Sequence, residues 1–159
     1  MKRIGIISDT HAYWDEKYEF YLKDCDEIWH AGDIGSLEVA DKFEAMKPIF
    51  RAVHGNCDGY DIRARYPEIL RFKCEEVDVL LKHIGGYPGK YDYSVRNILY
   101  YSPPNLFVDG HSHILKIMPD KTLNLGNEVA DKCLGHTSVY GIHTHVVAVV
   151  GAPAERKFA

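Results

Sequence analysis

Ile4-Gly5-Ile6-Ile7-Ser8-Asp9-Thr10-His11 is a short continuous apolar run that breaks into a polar cluster. Such a run marks a strand covered on both faces, so the polar groups fall just past its C-terminal end. The same unit recurs along the chain. Glu27-Ile28-Trp29-His30 leads into Ala31-Gly32-Asp33-Ile34-Gly35, and residues 49–53 lead into His54-Gly55-Asn56-Cys57-Asp58-Gly59. Leu106-Phe107-Val108 then delivers Asp109-Gly110-His111-Ser112-His113. Helical spacing fills the intervals. Tyr18, Tyr21 and Leu22 share a face within residues 15–23, and Ser36 is placed to cap a helix whose buried stripe is Leu37, Ala40, Phe43 and Met46, ended by Pro48. Val95, Ile98 and Leu99 mark a third helix over 93–100, stopped by Pro103-Pro104.

Residues 69–74 and 77–82, separated by Glu75-Glu76, read as a hairpin that runs into His83-Ile84-Gly85-Gly86. Beyond Ile114 the pattern is strands and turns only: 114–118, a Pro119-Asp120-Lys121 turn, 122–125, and a β-rich stretch over 137–150. Strand and helix alternate without repeat or linker, which predicts an α/β chain forming one domain over 1–159.

The composition narrows the function classes. At 159 residues, 46% of them apolar, the chain can bury a sizeable core without staples. Nineteen Lys+Arg against 23 Asp+Glu give a net charge of -4, so no bulk positive field exists to gather nucleic acid, and bulk nucleic-acid binding is not expected. Cys25, Cys57, Cys74 and Cys133 form no C-x-x-C pair, which argues against a zinc ribbon and a disulfide framework. The apolar stretches fall short of the ~18 residues a membrane span needs, and the first one is shorter than the roughly 7–15 residues of a signal core. The expectation is a cytoplasmic protein with no membrane association.

The chemistry lies in the loops after five strands: Asp9-x-His11, Gly32-Asp33, Gly55-Asn56, His83 and Gly110-His111-x-His113. Singly, each has a plainer reading, an aspartate as a turn or N-cap residue and a histidine as a satisfied polar side chain. Jointly they offer oxygen and imidazole donors that strand C-terminal ends can bring to one crevice. The donors suit two adjacent divalent cations, with one carboxylate shared and open positions left for a bridging hydroxide and two substrate oxygens.

In order and spacing, these motifs resemble the calcineurin-like metallophosphoesterase superfamily, D-x-H, G-D, G-N-H-[DE], H and G-H-x-H, and within it the small YfcE-like phosphodiesterases. The resemblance covers residues 4–127. It implies a four-layer α/β/β/α sandwich of two mixed β-sheets flanked by helices. It also implies one metal held by Asp9, His11, Asp33 and His113, and a second by Asp33, Asn56, His83 and His111, with Asp33 as the bridge. The implied cofactors are two divalent metal ions, manganese (Mn2+) first among nickel, iron, cobalt and zinc. The implied catalytic set is Asp33, Asn56 and Asp58, where Asp58 either supplies a proton or orients its turn. The implied reaction is hydrolysis of a small-molecule phosphodiester by in-line attack of the bridging hydroxide. The alternatives are a phosphomonoesterase or cyclic nucleotide phosphodiesterase, and a metal-poor binding scaffold of the same fold.

The chain departs from the superfamily pattern in three places. Cys57 stands where many relatives have the histidine that protonates the leaving group, and a thiol is a poor substitute for it. A glycine-rich run follows His83, and Leu123-Asn124-Leu125-Gly126-Asn127 stands where small relatives have L-N-P-G-S. His30 and His54 sit at strand ends beside the site, and Tyr13, Trp14, Tyr60 and Tyr87 flank it as stacking or packing groups. His143 and His145 share a strand face in the tail, whose last strand is suited to pairing with another chain as a homo-oligomer.

Overall fold

Three parallel strands deliver the first three polar loops. β1 (Ile4–Ile7), β2 (Glu27–His30) and β3 (Ile49–Ala52) pair in that order, with Ile4 opposite Glu27 and Glu27 opposite Ile49. The helices between them are α1 (Lys17–Leu22) and α2 (Leu37–Ala45), followed by α3 (Tyr60–Arg65). In a second sheet, β4 (Ile69–Cys74) runs antiparallel to β5 (Val77–Lys82), and β5 pairs in parallel with the last described strand. Between these come a two-stranded ribbon, β6 (Gly86–Tyr87) and β7 (Lys90–Tyr91), then α4 (Tyr93–Tyr101) and β8 (Leu106–Val108). The structure is a computed structural model that describes residues 2–113 and 120.

Period-two alternation sorts the strand residues into layers. Ile4, Ile6 and Trp29 meet Cys74, Val77, Val79, Leu81 and Val108 in one core between the two sheets. Ile7, Ile28 and Ala52 point the other way, against Tyr18, Leu22, Val39, Ala40, Phe43 and Ile62 from α1, α2 and α3. Leu80 and Phe107 turn outward to Val95 and Leu99 of α4. The result is the α/β/β/α sandwich. Among the described residues the first sheet is wholly parallel and only the second is mixed.

Ser36 caps α2 as expected, its hydroxyl accepting the Val39 N–H at 3.3 Å. The buried stripe, however, is Val39, Ala40 and Phe43, while Leu37 at the first turn is exposed. α3 and the β6–β7 ribbon were not foreseen, because α3 buries Ile62 alone and so shows no apolar stripe, and strands of two residues are too short to display a period. Among the described residues no helix is long and apolar enough to cross a membrane. The expected strands over 114–118, 122–125 and 137–150, with Asn124, His143 and His145, lie outside the described residues.

Candidate metal centre

The main-chain ladder between β1 and β2 continues past both strand ends, with Asp9 N–H donating to Gly32 O at 2.9 Å, His11 N–H to Asp33 O at 3.0 Å and Ala12 N–H to Ile34 O at 2.8 Å. The first two loops therefore lie side by side. Asp9, His11, Asp33, His111 and His113 all hold left-handed backbone, with φ between 46° and 66°. Each such residue costs of order 1–3 kcal/mol and persists only where its surroundings over-determine it. Close backbone approaches do so here. A Cβ on Gly55 would lie 2.0 Å from Asp33 Oδ1, and one on Gly110 would lie 2.0 Å from Ser8 Oγ.

His30 and Asp58 pin the loops from below. His30 is fully buried, accepting Gly32 N–H on Nδ1 at 3.2 Å, while its Nε2 lies 3.0 Å from Thr10 Oγ1, whose hydroxyl donates to Ile34 O. The Thr10 hydroxyl is committed as a donor, so His30 Nε2 carries the proton. Burial pushes His30 down to about 3, and it stays neutral. Asp58 is buried and accepts Gly35 N–H on one oxygen and Gly55 N–H on the other, both at 2.7 Å. It fastens the Asp33 loop to the Asn56 loop. Burial pushes Asp109 up to about 7 against the opposing N–H groups of Gly85 and Gly86.

The floor of the site, Asp9, Asp33 and His83, is buried, and its rim, His11, His111 and His113, is exposed. Asp9 Oδ2 accepts His111 N–H at 3.1 Å, whereas Asp9 Oδ1 is a buried side-chain oxygen with no hydrogen-bond partner among the described residues. Around that oxygen lie His113 Nε2 at 3.3 Å, His11 Nε2 at 3.9 Å and His83 Nε2 at 4.0 Å. His83 Nδ1–H donates to the Ala31 carbonyl at 2.7 Å, which turns Nε2 toward Asn56 Oδ1 at 3.0 Å and Asp33 Oδ2 at 3.3 Å. Lone pairs converge there, and only a proton or a cation between them removes the repulsion. Burial alone would push the Asp33 carboxyl up, yet the Cys57 N–H at 2.8 Å and the neighbouring His83 hold it below the usual carboxylate range.

The donors form three overlapping groups: Asp9, His11 and His113; Asp9, Asp33 and His83; and His11, Asp33 and Cys57. This donor set fits divalent cations. Asn56 stands beside His83, and the His111 ring lies 5.2 Å from the His83 ring. Of the flanking aromatics, Trp14 packs on Tyr18 and Phe43 in the core, while Tyr13, Tyr60 and Tyr87 are exposed. The sequence reading missed two features. The Cys57 sulfur joins the donor cluster, and Arg63 on α3 binds the carbonyls of Asp58 at 2.7 Å, Gly55 at 2.8 Å and Asn56 at 3.1 Å. Two arginines in the short Tyr60–Arg65 segment were the available signal, but nothing local says which one turns back to the loop.

A family model described as the calcineurin-like phosphoesterase superfamily domain matches residues 1–150. A probable metallophosphoesterase of Methanothermobacter thermautotrophicus is 30% identical over an alignment of 116 residues, and the match covers 69% of this chain and 66% of that protein, just under two thirds of its length. Among solved structures, vacuolar protein sorting 29 of Cryptosporidium parvum superposes with a TM-score of 0.61 at 16% identity, over 76% of this chain and 69% of that one. An archaeal phosphodiesterase superposes with a TM-score of 0.58 at 21% identity, over 75% of this chain and 78% of that one. The layered fold, the motif order and the family match agree: this chain belongs to the calcineurin-like phosphoesterase superfamily, a family of metal-dependent phosphoester hydrolases.

Proposed function

We propose that the protein is a phosphodiesterase working with two divalent cations, one held by Asp9, His11, Asp33 and His113 and the other by Asp33, Asn56, His83 and His111. The observation that carries this reading is the buried, unpartnered Asp9 Oδ1, ringed by three imidazole nitrogens within 4.0 Å. A buried carboxylate oxygen without a donor is costly, and a cation at that place removes the cost. When bound, the ions supply Lewis acidity at the phosphoryl group and lower the pKa of water. Mixed nitrogen and oxygen donors suit manganese, nickel, iron, cobalt or zinc, and affinity order alone does not choose among them.

The chain's own residues prepare the site. Asp33, held ionised and fixed by the Cys57 N–H on Oδ1, would be the carboxylate shared between the ions, and the Ala31 carbonyl fixes His83 in the tautomer that presents Nε2. The Asp33 carboxylate beside Cys57 pushes its thiol up and keeps it protonated, and both oxygens of Asp58 are taken by backbone N–H groups. Neither side chain is assigned as the leaving-group acid. That favours an ester whose leaving group is stable as an anion over one whose leaving group needs protonation.

Wild-type protein supplemented with manganese is expected to hydrolyse bis-p-nitrophenyl phosphate at least about a hundredfold faster than Asp33→Asn or His83→Ala, and faster than it hydrolyses p-nitrophenyl phosphate or cyclic nucleotides. Wild type no faster than the two variants would favour a binding scaffold. Preference for the monoester would replace the diesterase with a phosphomonoesterase.

A further inference from the structure

Beside the metal centre lies a cavity of about 340 Å3 that takes Asn56 and His83 as one wall and continues between α3 and the start of α4. Whatever enters it abuts the candidate ligands. A cavity of this size holds a small-molecule ester arm.

The charged groups on the walls are Arg63, Lys82, Glu68 and Asp92. Lys82 is buried and paired with Glu68 at 2.6 Å. Asp92 caps α4, accepting the Ser94 N–H at 2.9 Å and the Ser94 hydroxyl, at a helix end whose partial positive charge offsets its own. Arg63 is different. Nε and Nη2 donate to the carbonyls of Asp58, Gly55 and Asn56, and Nη1 lies 3.3 Å from His54 Nδ1. None of those partners is a carboxylate, and among the described residues no carboxylate lies within ion-pair distance of this guanidinium. Five N–H donors less these four contacts leave one on Nη1, and the charge meets the Glu68 carboxylate only through space, without a bond to it.

We propose that this cavity receives one arm of the phosphodiester and that Arg63 selects an arm carrying its own negative charge. The inference rests on the phosphodiesterase reading and names the substrate class within it. Arg63 acts as a specificity residue touching the substrate arm. The same guanidinium grips the carbonyls on either side of the Asn56 side chain, so a loaded arm and a placed Asn56 share one anchor.

Three esters share a p-nitrophenyl leaving group and differ in the second arm: phenyl, 4-carboxyphenyl and 4-phosphonophenyl. Manganese-loaded wild type is expected to show kcat/KM at least about tenfold higher for the two anionic arms than for phenyl. The contrast between carboxylate and phosphonate identifies which oxyanion the pocket prefers. Arg63→Gln is expected to abolish the preference and Arg63→Lys to retain most of it. Each ratio is taken within one protein, so a general loss from loosening the Asn56 loop cancels. Equal turnover of phenyl and anionic arms by wild type, or a preference surviving in Arg63→Gln, overturns this inference alone. No turnover of any ester overturns the phosphodiesterase reading and this inference with it.

Discussion

The two three-stranded sheets contribute unequally to the candidate metal centre. In the parallel sheet every strand, β1, β2 and β3, ends in a loop bearing candidate ligands. In the mixed sheet β5 and β8 do so, while β4, paired as deeply with β5 over six residues, brings none. The difference is direction. β4 runs against its neighbour, so its C-terminal end points away from the crevice. Backbone strain follows the same division. Among the described residues, the non-glycine positions with left-handed backbone are in the site loops, except Glu75 in the β4–β5 turn.

The largest expected effect lies on the strained side. Asp9→Asn removes the charge behind the unpartnered oxygen, and manganese affinity measured by calorimetry should fall beyond the ~10–100-fold typical of residues that only support ligands. An unchanged affinity would mean that the buried Asp9 oxygen is not a ligand. Gly55→Ala forces a methyl onto Asp33 Oδ1 at 2.0 Å, and diesterase activity should drop by about 10–100-fold. Gly59→Ala in the same loop meets nothing within 4 Å and should leave activity intact, with stability changed by less than about 1 kcal/mol. Matching activity in the two alanine variants would show that the close approach of Gly55 does not position Asp33.

On the regular side, Phe72 of β4 packs edge-on to Trp29 at 5.0 Å and lies under Arg51 at 4.6 Å. Phe72→Ala should cost about 2–3 kcal/mol in denaturant unfolding and leave kcat unchanged. A matching fall in kcat would mean that β4 reaches the chemistry after all.

The smallest effect concerns acid. His30 ordinarily titrates at 6.5 but is pushed down to about 3 in the fold. Between those values the unfolded chain binds a proton that the folded one refuses, so stability is full above pH 6.5 and falls as pH drops toward 3. Between pH 7 and pH 5 the loss should be about 2 kcal/mol. His30→Gln should remove that part of the slope in denaturant melts at the two pH values, and an identical slope would assign the acid sensitivity elsewhere.

Strand ends and ligand types were readable along the chain because they are local. An apolar run that stops at Asp9 or Asp33 announces both a strand and the group just beyond it. The Ser36 cap was readable for the same reason, since a hydroxyl three residues before an amide needs no tertiary partner. Leu37 misled because its stripe depended on which side of α2 meets β2. The orienting role of Asp58 took definite form only once Gly35 N–H and Gly55 N–H were seen to take both its oxygens.

The order of residues alone established an α/β alternation and a set of oxygen and imidazole donors, because periodicity and side-chain chemistry are properties of short windows. Folding in three dimensions settled which lone pairs face one another, which His83 nitrogen is presented, and which guanidinium has no carboxylate bonded to it among the described residues. These are distances between residues tens of positions apart. They depend on how the two sheets stack, and no segment carries them by itself.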